Sequence, residues 1–191
     1  MKSNDIMADA RMMHLRELKS ALACAKARLS KAEAERDLLV SHFGLALVAL
    51  RDFERMPADG TLRIVDGWNA VLRLRNVSRL SAERISALKK EYLGGLGVEQ
   101  PSGSGDGAGE GGLPPVSTWI VFDGEVANSF RSGPFRVTYT GGTGLHRADR
   151  MILDFVNAAR VLGLDVSRIM VETSDKDLAR RLTAAGAKIA D

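Results

Sequence analysis

Three apolar runs in this chain end at acidic residues, and this repeat constrains the fold more than any other feature. Residues 62–65 precede Asp66, residues 120–122 precede Asp123, and residues 169–171 precede a polar stretch that contains Asp175. Segments with helical spacing separate the runs, and alternating β and α elements predict an α/β fold with a doubly wound parallel sheet. Because ligands bind at the carboxyl ends of parallel strands, we expect these acids to line one site.

A fourth acid is expected at the same edge of the sheet. Asp149 lies in the first turn of a predicted helix (145–162) that follows a predicted strand (136–140). Carboxylates held close together repel one another, so the cluster needs a cation near neutral pH. Oxygen ligands without His or Cys favour Mg²⁺ or Mn²⁺ over zinc. The predicted metal ligands are therefore Asp66, Asp123, Asp149 and Asp175.

Simpler interpretations of these residues stay open at this point. Asp66 and Asp123 each precede a glycine, and Asp-Gly pairs also close ordinary turns. Asp175 fits an exposed first-turn acid, with Ser174 as the expected cap of the following helix. Asn69 could cap a helix or hold the neighbouring acid.

Four segments taken together resemble the NYN domain, a branch of the PIN-like ribonucleases, and are most similar to its YacP-like group. The segments, in order, are IVDGWN, VFDG, VTYTGGTGLHRADRMI and VETSDKDL followed by GA, and the resemblance spans residues 61–191. It implies a PIN-like, Rossmann-like sheet. Two positions depart from the family pattern: Trp68 replaces the usual Tyr, and Arg150 stands where a second acid often follows Asp149, with Asp154 one turn further on.

The resemblance implies a metal-dependent endoribonuclease that uses Mg²⁺ or Mn²⁺ to cleave RNA phosphodiester bonds. Asp66, Asp149, Asp175 and Asn69 would be its catalytic residues. Guanidinium groups match phosphate oxygens, so the candidate RNA contacts are Arg131, Arg136, Arg147 and Arg150. An alternative is a catalytically weakened RNA-binding or ribosome-associated module, and a third is a coiled-coil adaptor. An aspartyl phosphatase fits less well, because no second Asp lies two residues after Asp66.

The N-terminal part predicts a long helix, residues 1–56, with a coiled-coil-like seam. Its apolar residues follow a heptad repeat that only Arg36 interrupts, and Gly44 is a possible bend or end. Such a seam needs a partner, so residues 8–55 predict a homodimer, a protein partner, or packing against the chain's own domain. The repeat comprises Leu15, Leu22, Leu29, Phe43 and Leu50 in one position and Leu18, Ala25, Ala32, Leu39, Ala46 and Phe53 in the other.

The remaining features indicate an ordinary globular chain. The Gly- and Ser-rich stretch 94–115 predicts a flexible loop. No apolar run is long enough to cross a membrane, and the single cysteine, Cys24, is typical of a reducing compartment, so we expect a cytoplasmic protein. A net charge of +3 does not by itself indicate nucleic-acid binding.

Overall fold

A computed structural model of the protein describes residues 3–73, 81–99, 114–142 and 146–190. Helices and strands alternate over most of this part of the chain, as the sequence predicts. In chain order the elements are α1 (Ser3–Glu54), β1 (Leu62–Asp66), α2 (Gly67–Arg73), α3 (Ala82–Gly95), β2 (Thr118–Phe122), β3 (Ala127–Ser132), β4 (Phe135–Thr140), α4 (Arg147–Val161), a short 3-10 helix (Val166–Arg168), β5 (Ile169–Glu172), α5 (Lys176–Ala185) and β6 (Lys188–Ala190).

The six strands form one mixed sheet in the order β3-β4-β2-β1-β5-β6. Five of them are parallel, which confirms the predicted α/β class, but β3 pairs antiparallel with β4 at the edge. The fully parallel sheet that we predicted is therefore wrong at this edge. Strand β3 has the sequence ANSFRS and is only half-buried, so it lacks the apolar run by which the other strands were found.

The two faces of the sheet bury separate apolar clusters, because successive strand residues point to opposite faces. Ile64 and Val121 face a cluster that includes α4 and α5, whereas Val65 and Phe122 face a cluster that includes α2 and α3. Asp66 continues the alternation of Ile64, so its carboxylate lies on the α4 and α5 side.

Helix α1 confirms the predicted long helix, and it continues through Gly44 without ending there. Contacts divide the chain into two compact units, Met1–Val40 and Ser41–Asp191. We predicted a division near Pro57. It lies earlier because side chains near the end of α1, such as Leu50 and Phe53, are buried in the core of the second unit.

Helix α3 has local signals at both of its ends. Ser81 caps α3, accepting a hydrogen bond from the backbone N–H of Arg84, and the helix ends at Gly95. The stretch 94–115 therefore begins as helix, and residues 100–113 lie outside the described residues. Within the described part of the chain, no helix carries an apolar window long enough to cross a membrane.

Candidate functional site

Asp66 is the most deeply buried acid at the carboxyl edge of the sheet, with 3% of its surface exposed. The side-chain amide of Asn69 donates to its carboxylate and also to Thr173 Oγ1 at 3.1 Å. Asn69 Oδ1 in turn accepts from Ser174 Oγ at 2.9 Å. Of the two roles open to Asn69, the structure supports holding the neighbouring acid, and α2 already begins at Gly67.

The glycine after Asp66 is required by close packing. A Cβ added to Gly67 would lie 2.4 Å from Cε1 of Phe122, a side chain that is fully buried. No larger residue fits there without moving that ring. The Asp-Gly pair therefore lets β1 turn into α2 directly beneath the end of β2.

Burial is the largest cause of an unusual pKa at Asp66, and the nearby charge of Asp149 is the second. Together they raise the pKa of Asp66 to about 6, against the lowering effect of the hydrogen bonds from Asn69 and Thr173. The side chain therefore reaches its protonation midpoint at about pH 6, well above the usual range of an aspartate.

Asp123 anchors the start of α4. Its Oδ1 accepts a hydrogen bond from the backbone N–H of Ala148 at 2.7 Å and contacts Thr140 Oγ1 at 3.5 Å. An acid at a helix N-terminus is favoured by the unpaired backbone N–H groups there. This contact fixes the first turn of α4, which carries Asp149.

Asp175 caps α5, with Oδ1 accepting from the backbone N–H groups of Asp177 and Leu178. The expected cap at Ser174 is therefore wrong by one residue. The Ser174 hydroxyl instead donates to Asn69. Capping fixes the Asp175 carboxylate at the carboxyl edge of the sheet.

Asp149 and Asp175 meet there with a residue that we did not expect in the cluster, His146. One potential ligand atom from each of the three lies within 4.8 Å of the others. His146 Nδ1 is 2.9 Å from Asp149 Oδ2, and this hydrogen bond is the main cause that raises the pKa of His146. The prediction of an all-carboxylate ligand set thus omitted an imidazole. Among the described residues other than glycine, His146 alone has a left-handed backbone, with φ of 57°.

We call Asp66, Asp149, Asp175 and His146 the acidic side of the sheet edge. The donor set fits a divalent cation, since the charge of Asp149 already disfavours ionisation of Asp66. An imidazole beside carboxylates favours Mn²⁺ more than Mg²⁺. Asp66 and Asp123, the other two predicted ligands, lie outside the group of three residues that share one potential ligand position.

A cleft of about 590 Å³ is lined by three residues of the acidic side, His146, Asp149 and Asp175. Two of its lining residues are basic, Arg150 and Arg181, and Arg181 was not among the predicted RNA contacts. The Arg150 side chain is 70% exposed and lies 3.7 Å from Asp154 Oδ2. The amphipathic spacing of α5 indicates that Arg181 lies on the polar face of the helix. Only the packing of α5 shows that this residue lines the cleft.

The other predicted RNA contacts occupy different surroundings. Arg136 is buried and forms an ion pair with Asp52 of α1, so we correct its assignment from phosphate contact to structural ion pair. Arg131 donates to the backbone carbonyls of Gly133 and Pro114. Arg147 is half-buried, and its Nε has no hydrogen-bond partner among the described residues.

The opposite face of the same edge carries an aromatic patch, which we define as Lys89, Trp68, Phe122 and Tyr139. The Lys89 ammonium nitrogen lies 4.6 Å from the ring centroid of Tyr139, 5.7 Å from that of Trp68 and 5.8 Å from that of Phe122. These distances are typical of cation–π contacts. Burial nevertheless lowers the pKa of Lys89.

Comparison of the chain with family models, with curated proteins and with solved structures found no match. The similarity to the NYN domain therefore rests on the four sequence segments alone.

Proposed function

We propose that this chain is a metal-dependent endoribonuclease that cleaves RNA phosphodiester bonds at the acidic side of the sheet edge. The observation that carries the proposal is the convergence of Asp149 and Asp175, from the starts of two different helices, within 4.8 Å. Buried Asp66 reinforces it, because the charge of Asp149 reaches its carboxylate. Acids that gather at the ligand-binding edge of a parallel sheet are typical of a functional site.

Each residue of the site would have a separate role. Asp149, Asp175 and His146 would hold the Mn²⁺ or Mg²⁺ ion. A bound divalent cation lowers the pKa of a coordinated water and neutralises charge on the scissile phosphate. Asp66, whose pKa of about 6 suits proton transfer near neutral pH, would accept a proton, and Asn69 would keep its carboxylate oriented. Asp123 positions Asp149 by capping α4.

Basic residues of the cleft support an anionic substrate. Arg150 and Arg181 line the same cleft as Asp149 and Asp175. Guanidinium groups bind phosphate oxygens in forked geometry, so both would contact the RNA backbone on either side of the cleaved bond.

Cleavage of labelled single-stranded RNA with Mn²⁺, Mg²⁺ or EDTA tests this function. We expect metal-dependent cleavage by the wild type and a loss of at least about 100-fold in Asp149→Asn and Asp175→Asn, since even residues behind the ligands cost 10- to 100-fold in metal sites. Asn can still cap α5. Asp165→Asn is the matched control, because Asp165 caps the 3-10 helix before β5, at the opposite end of that strand. Equal activity of all three variants would refute the assignment.

A second candidate, an RNA-binding module without cleavage, is favoured by Arg150. This exposed arginine stands where the family often has a second acid. We expect Arg150→Glu to weaken RNA binding and to reduce the slope of log affinity against log salt by about 1. An active enzyme would show this loss together with metal-dependent cleavage. A non-cleaving module would show the loss of affinity alone.

A further inference from the structure

The part of α1 in the first compact unit carries an exposed apolar stripe. Leu18, Leu22 and Leu29 are 56%, 56% and 61% exposed, and Leu39 is 44% exposed. Every side chain described between residues 16 and 37 is exposed. A row of leucines at heptad spacing is the seam by which helices pair.

We propose that residues 18–39 of α1 pair with the same segment of a second copy of this chain in antiparallel orientation. The proposal goes beyond the nuclease function and does not depend on it. In an antiparallel pair, the numbers of two seam residues that face each other add up to a constant. Placing Leu29 opposite the partner's Ala32 sets that sum to 61. Leu22 then opposes the partner's Leu39.

The charged residue within the seam favours this orientation over a parallel one. In a parallel pair in register, Arg36 would oppose Arg36 of the partner subunit, and two like charges at an apolar interface are strongly unfavourable. In the antiparallel pair Arg36 opposes the partner's Ala25. A small alanine leaves room for the aliphatic stem of the arginine to cover the seam while its guanidinium group stays in water.

The charges that flank the seam favour the same orientation. Lys26 and Glu33 occupy one flanking position of the heptad, and Arg28 and Glu35 occupy the other. In the antiparallel pair Lys26 opposes the partner's Glu33, and Arg28 opposes the partner's Glu35. Twofold symmetry repeats both contacts, whereas a parallel pair brings together only Arg28 and the partner's Glu33.

The flanking pairs select orientation more than they add affinity. Exposed ion pairs contribute little to stability, and Glu35 already contacts Lys31 of its own helix at 3.9 Å. Complementary charges still discriminate between alternative arrangements, because like charges in the wrong arrangement repel. The flanking residues are basic in the first half of the segment and acidic in the second, so the segment is complementary to its own reversed copy, which identifies the second copy as the occupant of the seam.

Charge exchange in the full-length chain tests the orientation by sedimentation over a concentration series. We expect the wild type to dimerise and Lys26→Glu to raise the dimer dissociation constant about fivefold, because it sets like charges together twice. Adding Glu33→Lys to that variant restores an antiparallel dimer. In a parallel dimer, Glu33→Lys would place a basic side chain next to the partner's Arg28 and weaken association further. Arg16→Glu, on the outer face of the same helix, is the matched control and should dimerise like the wild type.

Distances between identical spin labels provide an independent test. With 1.5 Å of rise per residue, labels on native Cys24 should be offset by about 20 Å along an antiparallel pair, because residue 24 faces the partner's residue 37. Labels at position 30, introduced as Ser30→Cys in a Cys24→Ser background, should lie side by side, and those from Ser20→Cys should be offset by about 32 Å. Distances that do not change with position would establish a parallel pair and overturn the proposal.

A wild-type chain that stays monomeric up to about 100 µM would also overturn it, since dimerisation follows mass action. Leu22→Lys and Leu29→Lys should abolish dimerisation in an antiparallel or a parallel pair and therefore define the monomer signal. Circular dichroism of each variant checks that α1 remains helical. RNA cleavage measured on the same variants is expected to persist, which separates failure of this proposal from failure of the nuclease proposal.

Discussion

The acidic side and the aromatic patch lie on opposite faces of one sheet edge and differ in the charged groups that they hold. On the acidic side, burial and the charge of Asp149 raise the pKa of Asp66, so the isolated protein disfavours its ionised form. On the other face, the chain supplies its own cation, Lys89, within 5.8 Å of three ring centroids. The aromatic patch thus holds a cation of its own chain over its rings, whereas a bound cation would stabilise the ionised acids of the acidic side.

The two faces therefore carry groups of different charge although the backbone is continuous between them. Trp68 joins them, because it follows β1 on the aromatic face and its Nε1 donates to the backbone carbonyl of Asp123 at 3.3 Å. Gly67 lies at the junction and permits both Asp66 and Phe122 to keep their positions. Disturbing this junction should therefore affect both faces at once.

The largest effect on stability is expected from Gly67→Ala. The added methyl group would overlap the buried Phe122 ring, and overpacking of this kind costs about 3 kcal/mol at the upper end of the usual range. Urea denaturation should show a lower midpoint with an unchanged slope. Loss of both RNA cleavage and the ring contacts of Lys89 would accompany it.

Gly44→Ala is the matched control for that change. Gly44 lies inside α1 with nothing within 4 Å of an added Cβ, so alanine should stabilise the helix by about 1 kcal/mol. Equal effects of the two substitutions would show that the close approach at Gly67 does not limit stability.

Next in size is Asp66→Asn, which should stabilise the protein by about 2 kcal/mol at pH 7. The shift from the model-peptide value of 3.8 to about 6 corresponds to somewhat more than this, before allowance for the hydrogen bonds that Asn69 and Thr173 lose. Above pH 6 the carboxylate is charged in both states and the fold disfavours it. As the pH falls from 6 to 4, the folded state binds the proton first, so wild-type stability rises toward that of the variant.

Chemical denaturation at pH 4 and pH 7 measures this difference. The gain from Asp66→Asn should be large at pH 7 and small at pH 4. The control Asp165→Asn should show the opposite trend, because hydrogen bonds from Ser167 lower the pKa of Asp165 and stabilise its charged form. A gain from Asp66→Asn that is independent of pH would contradict the assigned pKa.

A divalent cation should raise the melting temperature of the wild type by a few degrees. At a concentration ten times the dissociation constant, binding to the folded state alone contributes about 1.4 kcal/mol. The shift should be larger at pH 8 than at pH 6, because the raised pKa of His146 keeps a competing proton on the imidazole at the lower pH. Calorimetry with Mn²⁺ and with Mg²⁺ measures it, and Asp149→Asn should remove it.

The smallest effect is expected from Lys89→Met on the aromatic face. Methionine keeps the aliphatic contacts with the rings but removes the charge, so we expect a loss of less than about 1 kcal/mol. Two influences oppose each other here, since burial lowers the pKa of Lys89 while the rings attract its charge. Unfolding experiments that show a gain instead would mean that loss of hydration outweighs the ring contacts, and the metal-induced shift should be unaffected in either case.

The order of strands and acids could be predicted from the sequence because both depend on local pattern. Apolar runs that end in acids identified β1, β2 and β5, and parallel pairing then places Asp66 and Asp175 at one edge. Helix α5 is bounded by local signals, because Asp175 and Gly186 directly adjoin its first and last residues. The polar strand β3 could not be found in this way, because its pairing with β4 exists only in three dimensions.

Tertiary structure alone decided what each charged side chain contacts. Arg136 and Arg150 were both candidate RNA contacts in the sequence. In the structure Arg136 is buried against Asp52, whereas Arg150 is exposed at the cleft. His146 contacts Asp149 from a left-handed backbone conformation, and no spacing rule predicts that contact. Most of the helices and strands, the heptad spacing of α1 and the edge at which the acids gather could be predicted from the sequence, since these follow from periodicity and chain direction. The partner of each acid was decided by packing between residues far apart in the chain.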